Sequence, residues 1–169
     1  GIYVVSVDSV EISGNTIAAD HGGIGIYVQY CKPAIVTGNK VTEFTENQLS
    51  YGIYLYNSYG NSSGERTVVA NNMIKAYLHA IYLNYSNYSD IYYNTLINTY
   101  PSASYGTLAL QSVSYTNIKN NIITNTSGGR LILKNNAYTD MYFDYNMYYG
   151  GSTSNGFYSN NNPSVNGDF

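Results

Sequence analysis

The sequence predicts an all-β solenoid of about six coils, each of 23–28 residues, spanning residues 1–149. Three observations lead there: two short motifs that alternate along the chain, a spacing between them that stays constant, and apolar runs that are too short and too regularly alternating for helices. The first motif is a small residue, an aliphatic, a variable residue and another aliphatic. It stands as Gly1-Ile2-Tyr3-Val4, Gly25-Ile26-Tyr27-Val28, Gly52-Ile53-Tyr54-Leu55 and Ala80-Ile81-Tyr82-Leu83, with weaker copies at Thr107-Leu108-Ala109-Leu110 and Arg130-Leu131-Ile132-Leu133. The second is apolar-x-x-Asn-x-apolar. It runs Ile12 to Ile17 around Asn15, Val36 to Val41 around Asn39, Val69 to Ile74 around Asn72, Ile91 to Leu96 around Asn94, Ile118 to Ile123 around Asn121, and Phe143 to Tyr148 around Asn146.

From the first aliphatic of one motif to the Asn of the next is 13 residues in four copies, 2 to 15, 26 to 39, 81 to 94 and 108 to 121. The same distance is 15 for 131 to 146 and 19 for 53 to 72. A fixed offset recurring while other segments vary marks a structural repeat. Each apolar run is three to six residues of period two, rich in β-branched and aromatic residues and followed by Gly, Asn, Ser or Thr, so each reads as a short strand closed by a turn. About three strands fit one repeat. A leucine-rich repeat of similar length would need a helical half that is missing.

Stacked parallel coils lie about 4.8 Å apart, so equivalent positions become rows. Three inward rows follow: Ile2, Ile26, Ile53, Ile81, Leu108 and Leu131; Val4, Val28, Leu55, Leu83, Leu110 and Leu133; and Ile12, Val36, Val69, Ile91, Ile118 and Phe143. Asn15, Asn39, Asn72, Asn94, Asn121 and Asn146 form a ladder at a bend, where amides satisfy backbone groups and one another and where Asn tolerates a left-handed backbone.

The repeat resembles that of right-handed parallel β-helices of the pectate-lyase-like superfold, the Ile-x-x-Asn-x-Ile type with an asparagine ladder. The closing stretch, Phe143-Asp144-Tyr145-Asn146-Met147-Tyr148-Tyr149 and then Asn162 to Phe169, resembles the ends of such helices in large secreted bacterial surface proteins, and the polar segment at 150–169 is expected to close or leave the helix. The resemblance implies an extracellular or cell-surface location. It does not select an activity, because one fold hosts lyases, hydrolases, epimerases, tailspikes, adhesins and ice binders. The start at Gly1 reads as a piece of something longer, and the first coil is expected to be covered by a preceding domain, a partner chain or a tail, since an open sheet edge invites association.

Composition narrows the rest. Only 17 of 169 residues are charged, whereas 22 are Tyr and 23 are Asn. Ala, Glu, Lys and Leu are too scarce for a coiled coil, and no apolar run reaches the roughly 18 residues of a membrane-spanning helix. The net charge is −3 and the seven basic residues are scattered, so no nucleic-acid partner is expected. A lone Cys31 and two distant histidines, His21 and His79, give no zinc site. No cofactor is expected. Calcium at Asp140 and Asp144 is not supported, because the acidic density falls short of the six to eight oxygens it usually takes.

Catalysis needs titratable groups held close together. Related lyases use Lys or Arg with clustered carboxylates, and polygalacturonase-type hydrolases carry Gly-His-Gly and Arg-x-Lys; His21-Gly22-Gly23 and Arg130-Leu131-Ile132-Leu133-Lys134 match neither. Asp20 and His21 share a loop, and Lys119 and Asp144 fall in one column of adjacent coils, where an exposed ion pair is the simpler reading.

The distinctive feature is aromatic. Tyr3, Tyr27, Tyr54 and Tyr82 occupy the outward position in four successive coils, about 14 Å end to end, with Tyr30, Tyr56 and Tyr85 nearby. Phenol rings beside Asn, Gln and Ser suit a polysaccharide or surface glycan, with rings on C–H faces and amides on hydroxyls; tyrosine is also simply a good exposed strand residue. Insertions at Thr42–Ser50, Asn57–Arg66 and Asn98–Tyr105 are read either as binding walls or as tolerated excursions. The expected function is therefore a non-catalytic surface or adhesion element that binds glycan through Tyr3, Tyr27, Tyr54, Tyr56, Tyr82 and Tyr85. The alternatives are part of a polysaccharide lyase or glycoside hydrolase, and a purely structural stalk.

Overall fold

The computed structural model describes residues 1–19, 22–43, 50–61, 64–102, 104–136, 140–150 and 157–159, the last three and residue 43 by backbone alone. The chain winds as a right-handed solenoid of parallel strands. The first coil is β1 (Ile2–Val5), β2 (Val10–Ser13) and β3 (Thr16–Ala19); the second is β4 (Ile24–Gln29), β5 (Ala34–Thr37) and β6 (Lys40–Glu43). The third is β7 (Tyr51–Tyr56), β8 (Thr67–Ala70) and β9 (Met73–Ala76); the fourth is β10 (His79–Asn84), β11 (Ser89–Tyr92) and β12 (Thr95–Asn98). The fifth is β13 (Gly106–Gln111), β14 (Thr116–Lys119) and β15 (Ile122–Asn125), and the sixth is β16 (Arg130–Asn135), β17 (Met141–Asp144) and β18 (Met147–Gly150). A last strand, β19 (Phe157–Ser159), pairs with β16.

Three parallel sheets result. The first has seven strands, in the order β1-β4-β7-β10-β13-β16-β19; the second and third have six each. Five full turns therefore separate the first rung from the sixth. Among the described residues there is no helix.

The register aligns the predicted rows. Ile2, Ile26, Ile53, Ile81 and Leu108 are partners in successive strands, and so are Val4, Val28, Leu55, Leu83 and Leu110. Ile12, Val36, Val69, Ile91, Ile118 and Phe143 run unbroken through the second sheet. The third sheet contributes Ile17, Val41, Ile74, Leu96, Ile123 and Tyr148. The three sets meet on the axis in one apolar core, which is why a period-two pattern with β-branched residues recurs in every strand.

The sixth coil corrects the first two rows. Leu108 pairs with Ile132, and Leu110 with Lys134, not with Leu131 and Leu133. A one-residue slip sends alternate side chains to the other face. The aliphatic run Leu131-Ile132-Leu133 fits either register, and an inward lysine is not what a hydrophobic pattern suggests. Lys134 is only 2% exposed, and burial pushes its ammonium pKa down. Leu133 instead follows Ala109 on the outer face.

The asparagine ladder lies between the second and third sheets. In each coil the Asn backbone N–H and its Nδ2 both donate to Oδ1 of the next coil's Asn, at 2.9–3.1 Å, from Asn15 through Asn39, Asn72, Asn94 and Asn121 to Asn146. Nδ2 also donates to a carbonyl of the preceding coil: Asn39 to Ile12, Asn72 to Val36, Asn94 to Val69, Asn121 to Ile91 and Asn146 to Ile118. The left-handed residue is not the ladder Asn but the one before it, namely Gly14, Gly38, Asn71, Tyr93, Asn120 and Tyr145, all with φ between 52° and 66°. That residue takes the turn, and the amide is left free to point inward.

A second ladder of hydroxyls was not anticipated. At the corner between the first and second sheets, Cys31 N–H donates to Ser58 Oγ and Ser58 N–H to Ser86 Oγ, at 3.1 and 3.2 Å. The serine hydroxyls reach back to the carbonyls of Val28 and Leu55. This is the asparagine device with a shorter arm. Lys119 and Asp144 share a register position with 4.0 Å between Nζ and Oδ2, both more than a third exposed, as expected of a surface pair.

Candidate functional site

On the outer face of the first sheet the residues between the two inward rows are Tyr3, Tyr27, Tyr54, Tyr82, Ala109 and Leu133. Strand spacing brings neighbouring rings into contact. Centroids lie 4.9 Å apart for Tyr3 and Tyr27, 5.0 Å for Tyr27 and Tyr54, and 4.7 Å for Tyr54 and Tyr82. Such pairs add about 0.5–1.5 kcal/mol each beyond area burial, so the row is rigid as well as aromatic. Tyr51 stacks on Tyr54 and Tyr82, at 5.4 and 5.8 Å. Two strand positions further along, the outward row is Val5, Gln29, Tyr56, Asn84, Gln111 and Asn135. A line of amides thus runs beside the line of rings. Tyr30 and Tyr85 sit at the left-handed corner positions, both exposed, with Tyr56 edge-on between them at 5.7 and 6.3 Å.

Four of these phenols, Tyr27, Tyr51, Tyr56 and Tyr82, are held protonated. Burial first, and then the repulsion of a second charge on Tyr54, Tyr51 or Tyr85, raises Tyr82 to about 12. Burial raises Tyr27 and Tyr51 as well, and proximity to Tyr30 raises Tyr56. Among the described strand positions of this sheet there is no carboxylate, and the outward cation is Arg130 at one corner.

The row changes character at Ala109, which has no ring. The missing ring leaves a depression of about 170 Å³ with Tyr82 on one side, Leu133 and Asn135 on the other, Gln111 beside it and Tyr105 over it. The Asn98–Tyr105 insertion supplies this wall: Tyr100 and Tyr105 pack edge to face at 5.1 Å, and Tyr105 meets His79 at 5.7 Å. The insertion is anchored by Asn98 and Asn125, whose amides bond at 2.8 Å. Sequence reasoning missed this site. Its signal was the alanine that breaks a run of four tyrosines in the first motif.

His79 forms the inner wall. Its Nδ1 lies 2.6 Å from the Gly106 carbonyl and so carries the proton. Burial lowers its pKa to about 4, against the small opposing effect of that hydrogen bond. Between pH 6.5 and 4 the unfolded chain binds a proton here that the folded chain does not, so stability is complete above 6.5 and falls as the pH drops toward 4. Urea denaturation of the parent should lose about 3 kcal/mol across that window, and His79→Gln should lose much less; equal slopes would refute a buried neutral imidazole.

The remaining candidates are dispersed. Asp20 and His21 lie outside the described residues, as does most of the Thr42–Ser50 insertion. His79 serves the first sheet. Asp144 faces Lys119 on the second sheet, and among the described residues no three His, Cys, Asp or Glu side chains converge as a metal site. Arg66 pins the Asn57–Arg66 insertion to the second sheet, with Nε 2.7 Å from Asp90 Oδ1 and a terminal nitrogen on the carbonyls of Ser89 and Tyr115.

No curated protein and no solved structure matches the chain. The family model described as the right handed beta helix region matches residues 1–167, nearly the whole sequence and every coil above, and the chain accordingly belongs to the right-handed β-helix family.

Proposed function

We propose that this β-helix is a non-catalytic surface element that holds an extended, uncharged glycan along the outer face of its first sheet. The observation that supports it is the pairing of two rows: contiguous tyrosine rings from Tyr3 to Tyr82, and the amides of Gln29, Asn84, Gln111 and Asn135 alongside. Pyranose C–H faces stack on aromatic rings while their hydroxyls exchange hydrogen bonds with amides that both donate and accept. The raised Tyr27, Tyr56 and Tyr82 stay neutral, the described strand positions of this sheet carry no carboxylate, and a polyanion would call for more cations than Arg130. The reading places the protein outside the cell or on its surface, where polysaccharide is met.

The test is a glycan array followed by affinity electrophoresis. Tyr54→Ala and Tyr82→Ala should each weaken retention about tenfold, in line with loss of one stacking contact of 1–1.5 kcal/mol, and 0.5 M NaCl should change little. Unchanged retention in both variants would remove the aromatic face from the account. Release of reducing or unsaturated ends from any polysaccharide would favour the enzyme alternative.

A further inference from the structure

The tyrosine row alone offers repeated, nearly equivalent surfaces, on which a sugar chain could slide by one coil at little cost. The depression at Ala109 is different in kind, because it is bounded on several sides and carries polar atoms of fixed direction. We infer that this depression is the selective subsite: it seats one pyranose ring of the uncharged glycan, with a C–H face on Tyr82 and hydroxyls on Gln111, Asn135 and Nε2 of His79. The inference rests on the glycan reading and goes further, in assigning selectivity to the hollow that begins where the tyrosine row ends, at Tyr82.

Three observations carry it. The hollow of about 170 Å³ is on the scale of a single sugar ring and stands at the end of the row, in line with it. Its walls combine an aromatic face with two outward amides, which is the mix small polar ligands require. His79 is 4% exposed, and with Nδ1 committed to Gly106 the ring's second nitrogen has no protein partner among the described residues. A neutral imidazole of that tautomer presents Nε2 as an acceptor, and a hydroxyl of the sugar is the donor that fits. A site built to meet a hydroxyl discriminates strongly against an analogue lacking one, because the acceptor that the ligand covers would be left bare. His79 here is a binding residue; no bond is made or broken.

The experiment compares affinity across neutral polysaccharides differing in monosaccharide (glucan, galactan, mannan, xylan) for the parent, Ala109→Tyr and Tyr54→Ala. Ala109→Tyr extends the ring row and fills the hollow. It should erase the preference among polysaccharides, at least tenfold in the parent, while retaining weak binding to all of them. Tyr54→Ala should weaken all of them by a similar factor and keep the preference. If Ala109→Tyr fails to fold by circular dichroism, Gln111→Ala, on a half-exposed strand position, should reduce the preference instead. Binding in the parent that Tyr54→Ala weakens but neither pocket variant alters would overturn the subsite and leave the glycan face standing. A parent that binds none of the polysaccharides would overturn both.

Discussion

Ile81→Asp is expected to abolish folding: the variant should lack the cooperative thermal transition and the β-type far-ultraviolet spectrum of the parent at 25 °C. Ile81 is fully buried at the centre of the first inward row, with Ile53 and Leu108 as its register partners. Losing the side chain alone removes about 2–4 kcal/mol of burial and packing. The carboxylate adds the larger cost, since the core around it is apolar and among the described residues no cation lies on the axis at that level to pair with it. Together these approach the 5–15 kcal/mol that holds an ordinary domain folded. Tyr82→Asp, one residue along and outward, should fold. A parent-like melt for Ile81→Asp would mean the inward and outward faces are interchanged.

Asn94→Ala is the second large effect. Its side chain accepts from the Asn72 N–H and Nδ2 and donates to Val69 O and Asn121 Oδ1, all at 2.8–3.0 Å and all buried. Removing it strands several groups that water cannot reach. Each unsatisfied group costs about 1–3 kcal/mol, so a loss of about 3 kcal/mol by urea denaturation is expected after partial relaxation. Asn15→Ala is the internal comparison: Asn15 donates to Ser13 O and Asn39 Oδ1 at the half-exposed end of the row, and about 1 kcal/mol should suffice. Equal effects at the two positions would contradict a ladder that strengthens toward the middle.

Much of this molecule was readable before any coordinate, because a solenoid writes the same environment once per coil. The axis rows and the ladder follow from side chains that must match their neighbours above and below, and the 13-residue offset from Ile26 to Asn39 and from Ile81 to Asn94 is the path length between two sheets. Reading failed where a coil departs from that logic. Lys134 turns inward at the end of the aliphatic row, and hydrophobic pattern alone puts Leu133 there. The Cys31–Ser58–Ser86 ladder uses residues that are equally at home in a turn, so nothing in their chemistry marked them as buried. The left-handed corners fall on Tyr93 and Tyr145 as well as on Gly14 and Gly38, because the ladder's hydrogen bonds overrule the usual preference. The hollow beside His79 was invisible for a further reason: it is made by a side chain that is absent at Ala109 and by Tyr105, brought over from an insertion whose path no repeat determines.

The most direct test of the account is to ask which rings a sugar touches. With the tyrosines labelled in the ring and assigned by single Tyr→Phe substitutions, titration with a neutral oligosaccharide should shift the resonances of Tyr27, Tyr54, Tyr82 and Tyr105 together, on one binding curve. Tyr92, Tyr93 and Tyr142, on the second sheet and its corner, should stay still. Shifts confined to those three, or spread evenly over both sheets, would contradict a glycan site on the first sheet.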